Sequence, residues 1–333
     1  MARVLVYEPI DPTGESLNWL VSQGVQLVKG PPMWQSPYQP LSERELIEQA
    51  SGCVALMGGG ATKIGRSLME ALPQLRYVSK CGIGYDSIDV EAATKLGILV
   101  TNTPVHSEVE IVAEHTIALI LAVRKQLAFW TSARLQSGGW RDTSRWAAPI
   151  RGATIGIIGL GRIGRAVARR LQNWDVTILA TDIADVVPEP GVRLVELDAL
   201  LSAADIVTLH ADARPSNRNL LDGRRIGSMK SGAVLVNAAR GSLVDVAALA
   251  RELTNGHLAG AALDVFDPEP PGREYPLLDL PNVVLTPHVA AWTQEVLADM
   301  GWLGARNLWQ MLNGEQPESL VNPEALEHSA QPR

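Results

Sequence analysis

The chain has 333 residues, 46% hydrophobic and 20% charged, which is more than one hydrophobic core ordinarily serves and argues against disorder. Its net charge of −7 comes without a run of Lys and Arg to neutralise phosphates, so nucleic acid is not an expected partner. Two cysteines, Cys53 and Cys81, are too few for a disulfide framework or a Cys-built zinc site. No secretory-type apolar stretch opens the chain, and the longest apolar run, near "IALILAV" (117–123), is too short to span a bilayer. The expectation is a cytoplasmic protein with no metal site and no membrane partner.

In chain order, "RVLVYEP" (3–9) reads as a strand and 12–21 as the helix after it, followed by the surface loop "GPPMWQSPYQP" (30–40) with its four prolines. A helix at 42–50, a strand at 53–57, a helix at 65–72 and a strand at 76–80 continue the alternation of a small parallel α/β layer. "GGGATKIGR" (58–66) lacks the Gly-Lys-Ser/Thr ending of a phosphate loop and reads as a strand-end loop. A long helix spans 113–126 and ends in basic residues, which suit the negative end of its dipole; a polar stretch with Trp140 and Trp146 follows. From 153 a second series begins: "TIGIIGLG", a helix over 162–173, then "VTILATD", "IVTLHA", "AVLVNAARG", "GAALDVF" and "NVVLTPH". These strands are apolar throughout, as when helices cover both faces of a parallel sheet. A helical stretch then runs to about Leu312.

Gly159-x-Gly161-x-x-Gly164 sits between strand and helix, where the first glycine permits the tight turn, the second admits a pyrophosphate and the third lets helix pack on strand. Backbone N–H groups near Arg162 and Ile163 would face the phosphates at the positive helix end. The next strand ends in Asp182, 18 residues after Gly164, where a carboxylate accepts hydrogen bonds from ribose hydroxyls. Ile183-Ala184-Asp185 follows with no Arg for a 2′-phosphate, so the expected cofactor is NAD rather than NADP.

Four ionisable residues fall at or beyond later strand ends: Arg240, Asp264, Glu269 and His288. Reduction of a 2-oxo acid needs a cation for its oxygens and an acid to protonate the carbonyl oxygen as hydride arrives, which Arg240 and His288 can supply. Glu269 beside the imidazole would orient it and keep a proton available near neutral pH. Each also has a structural reading: Arg240 as a surface residue at a helix start, His288 as a loop histidine, Glu269 as a solvated turn residue. The chain contains no Gly-x-Ser-x-Gly elbow, no His-Glu-x-x-His zinc site and no Tyr-x-x-x-Lys pair.

The stretches "GIGYDSID" (82–89), "NTP" (102–104), "VAEHTIALIL" (112–121), "IGIIGLGRIG" (155–164), "MKSGAVLVNAARGSLVD" (229–245), "GAALDVFDPEP" (260–270) and "LTPHVA" (285–290) together resemble the D-isomer-specific 2-hydroxyacid dehydrogenase family. The resemblance covers most of 75–295 and implies two doubly wound parallel-sheet domains of the α/β class, a Rossmann cofactor domain (102–289) inserted into a flavodoxin-like substrate domain (1–101 and 290–333). It implies catalytic roles for Arg240, Glu269 and His288, and cofactor contacts from Gly159, Gly161, Arg162, Ile163, Gly164, Asp182, His210, Ala238, Ala239 and the nicotinamide-side Asp264. Gly82, Ile83 and Gly84 would offer backbone N–H groups to the substrate carboxylate opposite Arg240, with hinge closure excluding water from the hydride step. The implied partners are a small 2-oxo or 2-hydroxy acid and a second copy in a homodimer, whose interface in relatives lies where Trp130, Trp140 and Trp146 cluster. Glyoxylate, hydroxypyruvate and larger or aromatic 2-oxo acids all offer the same carboxylate and carbonyl. The family resemblance also includes NAD-sensing corepressor scaffolds, the alternative from another functional class.

Where the family pattern has His-x-Pro-x-Thr-x-x-Thr, this chain reads "HADARPSN" (210–217), with Asp212 in place of the proline. Trp292 stands where many relatives carry a small residue and either narrows the substrate pocket, packs on the nicotinamide side, or packs in the core or hinge. Trp34 either reaches the cleft or packs on the surface. His106, which follows the "NTP" motif near the hinge, is a candidate to touch substrate, and His115 either packs on the long helix or meets another subunit.

Overall fold

The computed structural model describes residues 1–35, 37–60, 62–142 and 146–329. It divides into two compact units, one built from residues 1–108 and those from Trp292 onward, the other from Val109–Ala291. The sequence reading put those divisions at 101/102 and 289/290; the structure's own first division, between Glu108 and Val109, falls inside the helix His106–Arg124.

The first unit holds a wholly parallel sheet of β1 (Arg3–Glu8), β2 (Gln26–Lys29), β3 (Ala55–Gly58), β4 (Tyr77–Lys80) and β5 (Leu99–Thr101), in the order β2-β1-β3-β4-β5. That is the flavodoxin-like order. Its core joins Leu5, Tyr7, Leu56 and Val78 on the sheet to Leu46, Leu68 and Met69 on helices. Asn322 ties the end of the chain back to it, accepting the Val100 N–H at 2.8 Å and donating to the Ile98 carbonyl at 2.9 Å.

The second unit holds β6 (Thr154–Ile158), β7 (Thr177–Thr181), β8 (Val192–Leu194), β9 (Ile206–Leu209), β10 (Val234–Asn237), β11 (Gly260–Leu263) and β12 (Val283–Leu285), all parallel, in the order β12-β11-β10-β9-β6-β7-β8. Read from β8 inward, this is the doubly wound dinucleotide-binding order with one further strand. β9, β10 and β11 are buried at every residue, which is why they read as unbroken apolar runs. The helix Arg162–Leu171 buries Gly164, Ala166, Val167, Ala168 and Leu171. Arg165, Arg169 and Arg170 turn outward to Glu110 and Glu189.

The long helix begins seven residues earlier than the sequence reading placed it; Val109 and Val112 extend the buried stripe of Ala113, Thr116, Leu119, Ile120 and Val123 back by one turn. β2 and β8 were not expected as strands. Both are short sheet edges carrying exposed polar side chains, so neither shows an apolar run. Among the described residues no helix is long and apolar enough to cross a membrane.

Candidate active site

Because β6 to β12 are parallel, their carboxyl ends share one sheet edge, and the strand order sets the candidate residues along it: His288 beyond β12, Asp264 after β11, Arg240 beyond β10, His210 after β9, Gly159 after β6 and Asp182 after β7. The order reverses between β9 and β6, where an open parallel sheet leaves a crevice for a ligand.

Crowding around the glycine turn is uneven in the way a dinucleotide needs. A Cβ on Gly159, which has φ 95°, would lie 2.7 Å from the backbone of His210 and Ala211, and one on Gly164 would lie 2.1 Å from the Gly159 carbonyl oxygen. A Cβ on Gly161 would meet nothing within 4 Å, and no side chain caps the helix that Gly161 opens. The open space and the uncapped helix start lie together, which suits a pyrophosphate. Asp182 clasps the turn from the next strand, accepting the Leu160 N–H at 2.7 Å and the Ala184 N–H at 2.9 Å. The residues present therefore fit the adenosine diphosphate portion of NAD.

His210 keeps its Nε2 3.0 Å from Thr208 Oγ1, its buried Nδ1 has no hydrogen-bond partner, and burial pushes the imidazole down to about 4. Asp212, the departure from the family pattern, is absorbed within its own loop: Arg214 Nε approaches it at 2.5 Å and Asn217 Nδ2 donates to it at 2.9 Å.

Beyond β10, the buried Asn237 holds the Ala238-Ala239-Arg240 turn from both ends, its Oδ1 accepting the Ala239 N–H at 3.0 Å and its Nδ2 donating to the Arg240 carbonyl at 2.8 Å. Arg240 Nη1 donates to the Ala239 carbonyl at 2.7 Å, and its charge bears on Glu269. Gly241 is required here, since a Cβ would fall 2.1 Å from the Phe266 carbonyl carbon; the Arg240 turn abuts the loop that carries Glu269.

Glu269 accepts the Phe266 N–H at 2.8 Å through Oε1 and meets His288 Nδ1 at 2.7 Å through Oε2. Burial alone would raise this carboxyl, but the hydrogen bond and charge of His288, the Phe266 N–H and the charge of Arg240 together hold it below its ordinary value. With Nδ1 engaged and the side chain half exposed, Nε2 is the ring nitrogen left for chemistry.

Asp264, which the resemblance puts on the nicotinamide side, also holds up the loop that carries His288. It is fully buried, and its carboxylate accepts the Thr286 hydroxyl at 2.5 Å and the N–H groups of Val289 and Ala290 at 2.9 Å each. It is a strut beneath the His288 loop. His115, left open as packed or at a subunit contact, reaches the same strut, 3.1 Å from Thr286 Oγ1.

In the first unit, Gly82 donates its N–H to Thr103 Oγ1 at 2.6 Å and Ile83 donates to Glu108 Oε1 at 3.4 Å, while Asn102 Nδ2 donates to the Ile83 carbonyl at 2.8 Å. The "CGIGYD" loop is thus stapled to the "NTP" stretch, with two of its three expected donors engaged. Trp34 and Trp292 are exposed in that unit, and His106 starts the long helix. Sequence reasoning missed Asn237 and Thr103, whose side chains bond backbone, and Thr286, whose hydroxyl bonds the Asp264 carboxylate; no spacing rule signals such bonds.

A family model described as "D-isomer specific 2-hydroxyacid dehydrogenase, NAD binding domain" matches residues 117–290. The chain belongs to the D-isomer specific 2-hydroxyacid dehydrogenase family. It is 41% identical over 301 residues to a glyoxylate reductase of Thermofilum pendens, covering 86% of each chain. It is 35% identical over 331 residues to a D-3-phosphoglycerate dehydrogenase of Archaeoglobus fulgidus, covering 98% of this chain but 60% of that relative's length. Among solved structures, the TT0316 protein from Thermus thermophilus superposes with a TM-score of 0.86 at 34% identity, covering 96% of this chain and 99% of that one. This member of the family carries its NAD-binding domain. The two curated relatives bear enzyme names, which leaves the scaffold alternative without support.

Proposed function

We propose that the protein is an NAD-dependent D-2-hydroxyacid dehydrogenase, reducing a small 2-oxo acid or oxidising the corresponding hydroxy acid. The observation that carries this reading is the 2.7 Å pairing of His288 Nδ1 with a half-buried Glu269 whose carboxyl is held below its ordinary value, beside an Arg240 held on the neighbouring strand end. The glycine turn would hold NADH, whose nicotinamide would supply the hydride for the carbonyl carbon. Arg240 binds the substrate's carboxylate and carbonyl oxygens, and His288 delivers a proton from Nε2 to the carbonyl oxygen, while Glu269 orients the ring and offsets its positive charge. Gly159, Gly161, Arg162, Ile163 and Gly164 hold the phosphates, Asp182 the adenosine ribose, and His210, Ala238 and Ala239 line the cofactor side. Asp264 bears on the nicotinamide end through the loop it supports. Of the substrate-loop donors, Gly84 N–H, and Ile83 N–H behind its long 3.4 Å bond, are the ones we assign to the substrate carboxylate. The relatives' names favour glyoxylate and related short oxo acids as first substrates to test. Both cysteines are free and buried, which suits the cytoplasm in which we place the enzyme, and we assign it a homodimer.

NADH oxidation, followed by absorbance with a panel of 2-oxo acids, should show turnover with at least one of them. His288→Ala should lower that turnover at least ~10²-fold while leaving NADH affinity nearly intact, the usual worth of a positioned general acid. Wild-type turnover in the variant would remove His288 from the role.

A further inference from the structure

His288 has a left-handed backbone, φ 55°, which a non-glycine residue keeps only when its surroundings insist on it. Most of that insistence comes from Asp264. Its carbonyl accepts the His288 N–H at 2.7 Å, its Oδ1 the Val289 N–H and its Oδ2 the Ala290 N–H. Two further groups bear on the same carboxylate: the Thr286 hydroxyl, 2.5 Å from Oδ1, and His115, whose Nε2 is 3.1 Å from Thr286 Oγ1 and 3.6 Å from Asp264 Oδ1.

Donor counting fixes the direction of this chain. A carboxylate only accepts, so the single hydroxyl proton of Thr286 points to Asp264; Thr286 Oγ1 must then accept from His115, whose Nε2 carries hydrogen. The relay runs from the His115 N–H to the Thr286 O–H, to the Asp264 carboxylate, to the two N–H groups that follow His288. Each bond polarises the next in a buried setting. The charged group facing the His115 ring is Asp264 itself.

We propose that His115 is a positioning residue for the reaction, setting the Thr286–Asp264 clamp and through it the placement of the His288 imidazole against Glu269 and the substrate oxygen. This rests on the assignment of His288 as proton donor, and the two are tested separately. His288→Ala is measured first; wild-type turnover there ends the donor assignment itself. Given a loss there, His115→Ala should lower kcat about tenfold, a part of the ~10²–10⁴-fold general acid–base contribution that it disturbs without removing. It should leave the Kd for NADH unchanged and move the pH at which kcat/KM falls to half.

His115→Gln, which keeps an N–H donor, should retain most of the turnover. The double variant His115→Ala/Thr286→Val should be no slower than Thr286→Val alone, because both break one relay. The inference is overturned by wild-type kcat and pH profile in His115→Ala, or by losses that multiply in the double variant. A kcat loss that only tracks a lower folded fraction, with the pH profile unmoved, also counts against it.

Discussion

His210 shows how one side chain at this sheet edge ties stability to pH. Burial pushes its folded-state value down to about 4, so the folded protein keeps the ring neutral while an unfolded chain protonates it near the ordinary histidine value. The unfolded state therefore takes up the proton first as pH falls. Stability is full above about pH 6.5, declines as pH drops through the interval to about 4, and loses on the order of 3 kcal/mol at most to this group. His210→Gln keeps a polar group near Thr208 but has nothing to titrate. Melting temperatures measured from pH 7 to pH 4 should fall more steeply for the wild type than for the variant. Parallel curves would show that another group governs the acid limb.

At the scale of the element, the strand-turn-helix from Thr154 to Leu171 separates packing from binding. Gly164→Ala sets a methyl 2.1 Å from the Gly159 carbonyl oxygen and should destabilise the second unit by roughly 1–3 kcal/mol, as overpacking generally does. Gly161→Val places its bulk in open space, so stability should hold while NADH affinity falls sharply. Urea unfolding and fluorescence titration of NADH separate the two outcomes; equal stability losses would mean that the space beside Gly161 serves the fold alone. This element was legible in the sequence because its constraints are local: glycine spacing, a buried strand, an acid at the next strand's end. The 2.7 Å pairing of Glu269 with His288 was legible only as a pair of residue types near strand ends, since the distance depends on how β11 and β12 carry their loops. The engaged N–H groups of Gly82 and Ile83 were not legible at all. Whether an N–H in a glycine loop is free depends on which distant side chain arrives, here Thr103 and Glu108.

For the whole molecule, the segment after the long helix leaves several large apolar side chains uncovered in a single copy. Leu127, Trp130, Leu135, Trp140 and Trp146 are all exposed, Trp140 at 70% and Trp146 at 75%. Large apolar side chains exposed within so short a stretch mark an interaction surface more often than they mark chance. The segment also holds a shape of its own: Phe129 and Trp130 meet edge to face at 4.9 Å, Arg134 lies 4.0 Å over the Phe129 ring, and the same guanidinium pairs with Asp142 at 2.5 Å. A shaped apolar surface loses little entropy when it is covered, which favours a lasting contact between copies. Sedimentation velocity of the wild type should therefore give a dimer at micromolar concentration, and Leu135→Glu with Trp140→Glu should give a monomer, because each charge would have to be desolvated unpaired at the contact. NADH binding, which draws on the glycine turn and Asp182, should survive in that monomer. A double variant that sediments as the wild type does would place the dimer contact elsewhere on the chain.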